Sequence, residues 1–174
     1  MTSELLDRAL IEEATKKSGL IWVKGEGAPA ARALWHVWHE GAACVVGDGP
    51  GEQPLPYLTA GGSAEVTVRS KDKGGRLVTY TATVTEPAPE SEEWLAAVAE
   101  LKGKRLNAPD GEAMPARWAR ECRVLRLEPA GAPLPLPDGS LAAPPVPSPA
   151  TTRKPLPEGL PRLLFKRRGR KPRS

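Results

Sequence analysis

Two consecutive segments of the sequence alternate apolar and polar residues, and this alternation restricts the fold more than any other feature. The segments span residues 64–70 and 76–86, with the turn sequence DKGG between them. Because successive side chains of a strand point to opposite faces, the pattern predicts a β-hairpin with one buried face. The other face is rich in threonine and is expected to meet water or a partner. The apolar set is Val66, Val68, Val78, Tyr80, Ala82 and Val84.

The segment ARALWHVWHEGAACVV, residues 31–46, contains both histidines of the chain, two of its five tryptophans and one of its two cysteines. Aromatic and branched residues favour strands over 33–39 and 42–46. Glu40 and Gly41 between them suit a tight turn. The segment therefore predicts a second hairpin.

Helices are predicted near the start of the chain and after the second hairpin. Residues 2–18 place Leu6, Leu10 and Ala14 at helical spacing, which predicts an amphipathic helix that covers the sheet. The short segment 20–23 after it is typical of a strand.

A helix capped by Ser91 is predicted later in the chain, and residues 122–128 are predicted as the last strand. The buried stripe of this helix is expected to be Trp94, Leu95, Val98 and Leu101.

The order of these elements predicts a mainly β fold with flanking helices. About six mostly antiparallel strands form a small barrel most economically, because closure removes exposed strand edges. The barrel domain is expected over residues 1–128. In residues 129–161, eleven of 33 residues are proline, so we expect a disordered linker there. A basic tail, also expected to lack a packed structure, follows over residues 162–174.

The charges are divided unevenly along the chain. Residues 153–174 hold nine Lys or Arg and one acid, a balance of +8, whereas residues 1–152 have a balance of −4. Any interaction with nucleic acid or an acidic partner is therefore expected from the tail, and the alternative is a solvated tail that aids solubility. The chain has no long apolar segment and no secretory signal pattern, so a cytoplasmic protein without membrane contact is expected. In that compartment Cys44 and Cys122 are expected to be reduced and packed.

Motifs for metal binding and covalent catalysis are weak. His36 and His39 lie three positions apart, and such positions of a strand face opposite sides, so they do not predict a metal site with Cys44. GEGAPA, residues 25–30, resembles a dinucleotide-binding glycine motif, but a strand follows it instead of the required helix. No Ser/His/acid set has a recognisable spacing, so no catalytic residue is assigned.

The sequence LWHVWHEGAACVV, together with the order of elements, resembles the split β-barrel family of FMN and deazaflavin proteins related to pyridoxamine 5'-phosphate oxidase. The resemblance covers about residues 5–128, and 34–38, 40–41 and 42–46 stand in the family's second strand, acidic-Gly turn and third strand. It implies a homodimer with two flavin sites at the subunit interface. The flavin ring would pack on barrel strands, and basic residues would hold its phosphate.

The resemblance also implies site residues, with one departure from the family pattern. Such proteins usually carry an Arg or Lys cluster after the third strand, but this chain has no basic residue between Val46 and Ser63. A phosphate dianion needs charge-assisted donors, so other cations must replace the cluster. The ring is expected near Trp35, His36 and Trp38, and the phosphate near Arg69, Lys71 and Arg76, with Lys104 and Arg105 as a second set of cations.

Two functional hypotheses follow. One is a flavin-dependent oxidoreductase that uses FMN or a deazaflavin for hydride transfer to a small molecule. The other is a non-enzymatic dimeric binding or scaffolding module of the same fold, whose basic tail engages nucleic acid or an acidic partner. The missing basic cluster favours the second hypothesis.

Overall fold

The computed structural model describes residues 2–71 and 75–135, which form one antiparallel sheet with flanking helices. The strand order β2-β1-β5-β6-β7-β4-β3 puts two strands that are consecutive in sequence at opposite ends of the sheet. The sheet therefore curls into a nearly closed barrel, which confirms the predicted fold class. The helices are α1 (Thr2–Lys17), α2 (Glu92–Lys104), the short 3-10 helix Gly111–Ala113 and α3 (Met114–Glu121). The strands are β1 (Leu20–Gly25), β2 (Arg32–Trp35), β3 (Val37–His39), β4 (Ala42–Gly47), β5 (Ser63–Arg69), β6 (Arg76–Thr85) and β7 (Arg123–Pro129).

The hairpin predicted from the alternating segments is confirmed as β5 and β6. Their register runs from Ser63 opposite Thr83 to Arg69 opposite Arg76, with an irregularity just before Arg69. All six residues of the predicted apolar set are buried. The threonine face is partly covered as well, because the buried Thr67 and Thr79 hydroxyls lie 3.1 Å apart and hydrogen-bond.

The prediction of one continuous strand over 33–39 is wrong, because the chain breaks at His36. β2 pairs with β1, whereas β3 pairs with β4, so the two halves of the segment belong to opposite ends of the sheet. The break lets the chain cross from one end of the nearly closed barrel to the other. The turn is confirmed: Glu40 and Gly41 have φ of 44° and 78°, which suits a two-residue hairpin turn.

The predicted apolar stripe of α1 is also wrong in part. Leu6 and Leu10 are 66% and 50% exposed, whereas Ala14, the third residue of the predicted stripe, is buried together with Ile11 and Thr15. The part of α1 from Ile11 onward lies against the barrel, and two of its three buried residues, Ile11 and Thr15, lie one position beyond the Leu6–Leu10–Ala14 line. The first half of α1 therefore presents leucines at the surface.

The later helices need two further corrections. In α2 the buried residues are Trp94, Ala97, Val98 and Leu101, whereas Leu95 is exposed on the flank. The sequence prediction missed α3, which begins next to Pro115 and buries Met114 and Trp118. The last strand is confirmed as β7.

Two apolar clusters stabilise this arrangement, one inside the barrel and one outside it. The inner cluster collects the inward residues of the strands together with Ile11 of α1. The outer cluster lies between β3, β4 and β7 on one side and α2 and α3 on the other, and includes Cys44, Trp94 and Trp118. Over β3, β4 and β7 the sheet is therefore buried on both faces, because α2 and α3 cover its outer face there.

Backbone hydrogen bonds continue beyond residue 128. Ala130 N donates to Thr81 O, and Leu134 N donates to Thr79 O. Residues 136–174 lie outside the described residues, so the predicted disorder of the proline-rich linker and of the basic tail, and the domain boundary at 128, stay predictions. In the part of the chain that the structure describes, each helix is too short or too polar to cross a lipid bilayer.

Candidate functional site

A groove on the outer face of the barrel is the principal candidate for a ligand site. Its volume is about 410 Å³, and its wall includes Ser18, Leu20, Trp22, Arg69 and Lys71. These residues meet because the start of β1 pairs antiparallel with the end of β5. A volume of this size falls within the range of small-molecule sites in proteins, which is roughly 300–1,000 Å³.

The apolar floor of the groove follows from strand alternation. Ile21 and Val23 point into the barrel and are buried, so Leu20 and Trp22 point outward. Leu20 is 50% exposed. Sequence analysis did not single out Trp22, although the alternation within 20–23 was a usable signal.

A cation lies over the indole of Trp22. The guanidinium carbon of Arg69 is 5.0 Å from the centre of the Trp22 ring, a distance typical of a cation–π contact. Arg69 is itself exposed. The pair therefore brings an aromatic surface and a positive charge to the same point of the groove wall.

Two lysines, Lys71 and Lys104, add positive charge near the groove. Partial burial, and then the charge of Lys71, lower the pKa of Lys104. Lys104 Nζ donates a hydrogen bond to the backbone oxygen of His36, at the break between β2 and β3. Lys71 and Lys104 therefore lie near enough for like-charge repulsion.

The structure brings together some of the cations named for phosphate and separates others. Arg69 and Lys71 line the groove, and Lys104 lies near Lys71. Arg76 is the cross-strand partner of Arg69, but it is not among the described residues that form the groove wall. Arg105 is engaged elsewhere, since its Nε is 3.2 Å from a carboxylate oxygen of Glu52.

The three residues named for the flavin ring lie on two faces of the barrel. Trp35 points outward: it is the cross-strand partner of Leu20, next to the groove, and packs against the outer cluster. Trp38 packs against the inner cluster, and His36 is fully buried. Only Trp35 is thus placed near the groove, and a role in ring binding stays a prediction for all three.

His36 lies under α1 in a neutral state. Its Nε2 is 2.9 Å from the backbone oxygen of Thr15, and its Nδ1 has no hydrogen-bond partner. Burial lowers the pKa of His36 to about 4. His39 Nε2 instead lies 3.8 Å from a carboxylate oxygen of Glu40, so the two imidazole rings have different partners.

Two residues of the loop after β4 have roles that sequence analysis missed. The Gln53 side chain hydrogen-bonds to the backbone of Trp35 and Val46. The Glu52 carboxylate is fully buried and accepts hydrogen bonds from Arg105, Arg117 and the Trp118 indole. The loop contains no basic residue, but its Glu52 carboxylate binds two arginines from later parts of the chain. Apart from Val46, which is seven residues from Gln53, the partners lie 18 to 66 residues away, so no local pattern indicated these contacts.

The buried Arg126 and Cys44 face each other across β4 and β7, under α2. Arg126 is 5% exposed and forms an ion pair with Glu93 at 3.1 Å. Burial raises the pKa of Cys44 to about 11. The thiol is therefore protonated at neutral pH and packs as an apolar group, as predicted.

No protein-family model matches the sequence, and no curated protein sequence matches it. Among solved structures, the chain is similar to HutZ from Vibrio cholerae, described as a heme storage protein. The similarity has a TM-score of 0.51 at 15% identity and covers 71% of this chain and 90% of HutZ. This similarity shows the fold.

Two other solved structures are similar at lower TM-scores. General stress protein 26 from Jannaschia has a TM-score of 0.46 at 12% identity, over 70% of this chain and 73% of its own. A FAD and heme binding protein from Mycobacterium smegmatis has a TM-score of 0.41 at 16% identity, over 87% of this chain and 92% of its own.

Proposed function

We propose that this split-barrel protein binds a flavin-type cofactor, FMN or a deazaflavin, and serves hydride transfer to a small molecule. The observation that carries the proposal is the outer groove, where Trp22, Arg69 and Lys71 combine an aromatic surface with two cations. A flavin phosphate is a dianion, and cations of this kind bind it by charge-assisted hydrogen bonds. The loop after β4 contains no basic residue, so we propose that the cations of the groove take the place of the missing cluster.

The residues that would hold the cofactor are those of the groove and its border. Arg69 and Lys71 would bind the phosphate, and the charge of Lys104 would add to theirs, since Lys71 is near enough to lower the pKa of Lys104. Leu20, and Trp35 beside it, would exclude water from one side of the ring. A bound flavin supplies the hydride-transfer chemistry, while the protein binds it, orients it and limits solvent access.

Heme, which the name of HutZ mentions, fits the histidines of this chain poorly. Histidine is a common ligand of heme iron. His36 is fully buried with its Nε2 at the Thr15 carbonyl, and the Nε2 of His39 is buried beside Glu40. His36 therefore offers no exposed nitrogen and His39 offers no exposed Nε2, so we favour a flavin.

We also propose that the protein is a homodimer. The first nine residues of α1 include the exposed Leu5, Leu6 and Leu10, and a group of exposed leucines on one helix is typical of a protein interface. A second copy of the chain is the partner that the resemblance implies. A dimer would also enclose ligand sites more fully than one subunit does.

The test is spectroscopic titration of the purified full-length protein with FMN, a deazaflavin and riboflavin. We expect FMN or the deazaflavin to bind with a shift of its visible absorption bands, and riboflavin to bind more weakly because it lacks the phosphate. A reductase assay with a nicotinamide donor then follows on the loaded protein. If neither FMN nor the deazaflavin binds, the proposal is wrong and the non-enzymatic module of the same fold replaces it.

A further inference from the structure

The last turn of α1 is joined to one edge of the groove. Thr15 is fully buried, and its carbonyl oxygen accepts a hydrogen bond from Ser18 N at 3.2 Å. The hydroxyl of Ser18 in turn donates to the carbonyl oxygen of Leu20. Ser18 and Leu20 line the groove, so the position of the end of α1 determines where this edge of the groove lies.

His36 holds the same carbonyl group from the barrel side. Its Nε2 lies 2.9 Å from Thr15 O, and because a carbonyl oxygen can only accept, Nε2 carries the hydrogen. The backbone oxygen of His36 accepts a hydrogen bond from Lys104 Nζ, and Lys104 lies near Lys71 of the groove wall. His36 therefore connects the α1 side of the groove with its cationic side.

The second ring nitrogen of His36 has no hydrogen-bond partner among the described residues. His36 is fully buried, and Nδ1, which carries no hydrogen in this tautomer, is the position at which a proton would add. A buried charge with an unpaired donor is unfavourable, so protonation favours a state in which water reaches the ring. Because α1 covers His36, that state requires the end of α1 to move away from the barrel.

Among the described residues, the charged group that acts on the His36 ring is a lysine. Burial lowers the pKa of His36 to about 4; the Thr15 carbonyl opposes this shift, and the Lys104 ammonium adds to it. Tyr80 of β6 lies near the Thr15 side chain, and burial raises the pKa of Tyr80 to about 12, so it is uncharged. The neighbouring charged residues of α1 form two exposed ion pairs, Glu12 with Lys16 and Glu13 with Lys17.

We propose that His36 is a positioning residue for the groove: its neutral ring holds the end of α1 on the barrel, and protonation releases this end together with Ser18 and Leu20. His36 acts without touching the ligand. Acid therefore favours the released state, and a ligand in the groove favours the held state. This inference concerns regulation of the proposed flavin site, and it rests on the proposed function for the identity of the ligand.

Amide hydrogen exchange of the full chain, followed by mass spectrometry and corrected for the intrinsic effect of pH, measures the release. From pH 7.5 to 5.5 the protection of amides 15–20 should fall about tenfold in the parent, because the released ring regains a pKa near 6.5. These amides should also be less protected than those of β5 and β6, since the end of α1 opens without global unfolding. Equal protection of the two regions would overturn the inference.

Two substitutions of His36 separate its hydrogen bond from its charge. His36→Gln can place an amide nitrogen at the position of Nε2, so protection at pH 7.5 should resemble that of the parent, and the decrease at pH 5.5 should disappear. His36→Leu removes the donor and should lower protection by about three- to tenfold at both pH values. If His36→Leu does not fold, His36→Gln alone decides.

His39→Gln is the matched control, and it should behave like the parent because His36 remains. A tenfold decrease that persists in His36→Gln, or that disappears in His39→Gln, would contradict the assignment of the proton to His36.

FMN connects the release to the proposed site. At a free concentration of ten times its Kd, FMN should raise the protection of amides 15–20 about tenfold, because the released state lacks one edge of the groove. If FMN binds and leaves this protection unchanged, the flavin proposal stands and the coupling is wrong. If FMN does not bind, but protection falls with pH in the parent and not in His36→Gln, the flavin proposal is wrong and the proton-dependent release stands. If neither result appears, both are wrong.

Discussion

The side-chain amide of Gln53 pairs with the backbone of Trp35 in the way a neighbouring strand would. Gln53 Oε1 accepts from Trp35 N, and Nε2 donates to Trp35 O, both at 2.9 Å. The same Nε2 lies 3.2 Å from Val46 O. One amide therefore joins the end of β2 to β4, at the place where the barrel is not closed by strand pairing.

Replacement of Gln53 by Ala should destabilise the fold. The backbone groups of Trp35 lose their partners in a partly buried position, and we expect the free energy of unfolding to fall by about 2–4 kcal/mol. Urea denaturation monitored by tryptophan fluorescence measures the change. Glu26→Ala, in an exposed turn, is the control and should change the free energy of unfolding little. A Gln53→Ala protein as stable as the parent would show that the amide is not needed to close the barrel.

Replacement of Glu52 by Gln should also lower stability. The carboxylate is fully buried between Arg105 and Arg117, so removal of its charge leaves Arg105 without this counter-charge, whereas Arg117 keeps its ion pair with Asp110. We expect a loss of about 2–4 kcal/mol in the free energy of unfolding.

Glu112→Gln is the matched control for that variant. Glu112 pairs with Lys102 at 2.6 Å, but its side chain is 95% exposed. An exposed pair contributes little, so the change should stay below about 1 kcal/mol. If both variants lose the same free energy of unfolding, burial of the Glu52 carboxylate does not increase the cost of removing its charge.

His36 should make the protein less stable in mild acid. Its pKa in the folded protein is about 4, below the value of about 6.5 in an unfolded chain. Between these values the unfolded chain binds a proton that the folded protein excludes, so stability is full above pH 6.5 and falls as pH drops toward 4. From pH 7.5 to 5.0 the contribution of His36 is about 2 kcal/mol.

Denaturation of the His36→Gln variant at both pH values measures this contribution. The decrease in the free energy of unfolding should be smaller in His36→Gln than in the parent by about that amount. A His39→Gln control should keep the decrease, because His36 remains. An equal decrease in parent and His36→Gln would show that the imidazole is not held neutral by burial.

Substitution of the exposed leucines of α1 should weaken the proposed dimer. Leu6→Glu/Leu10→Glu places two charges on the surface where we propose the partner to lie, and the variant should be monomeric by light scattering coupled to size exclusion. The control is Leu106→Glu, on a loop residue that is 73% exposed. If the parent protein is monomeric at tens of micromolar, the dimer proposal is wrong. If the double variant is still a dimer, the exposed leucines of α1 are not its interface.

The sequence by itself determined the elements whose signal is local. The alternation over 64–70 and 76–86 specified β5, β6 and their buried face, and Glu40-Gly41 specified the turn between β3 and β4. The Ser91 cap and the apolar spacing specified α2, although Leu95 was assigned to the wrong face. Periods of two and of about 3.6 residues are set by the backbone of each element, so neighbouring residues suffice to predict them.

Only the tertiary structure decided the features that join distant residues. The break at His36 follows from which strands Arg32–Trp35 and Val37–His39 pair with, and the buried face of α1 follows from where the barrel lies beneath it. The same holds for Trp22 with Arg69, and for Glu52 with Arg117, whose positions are 47 and 65 residues apart in sequence. Contacts at such separations depend on the path of the whole chain, because packing and charge pairing act through space and leave no period in the sequence.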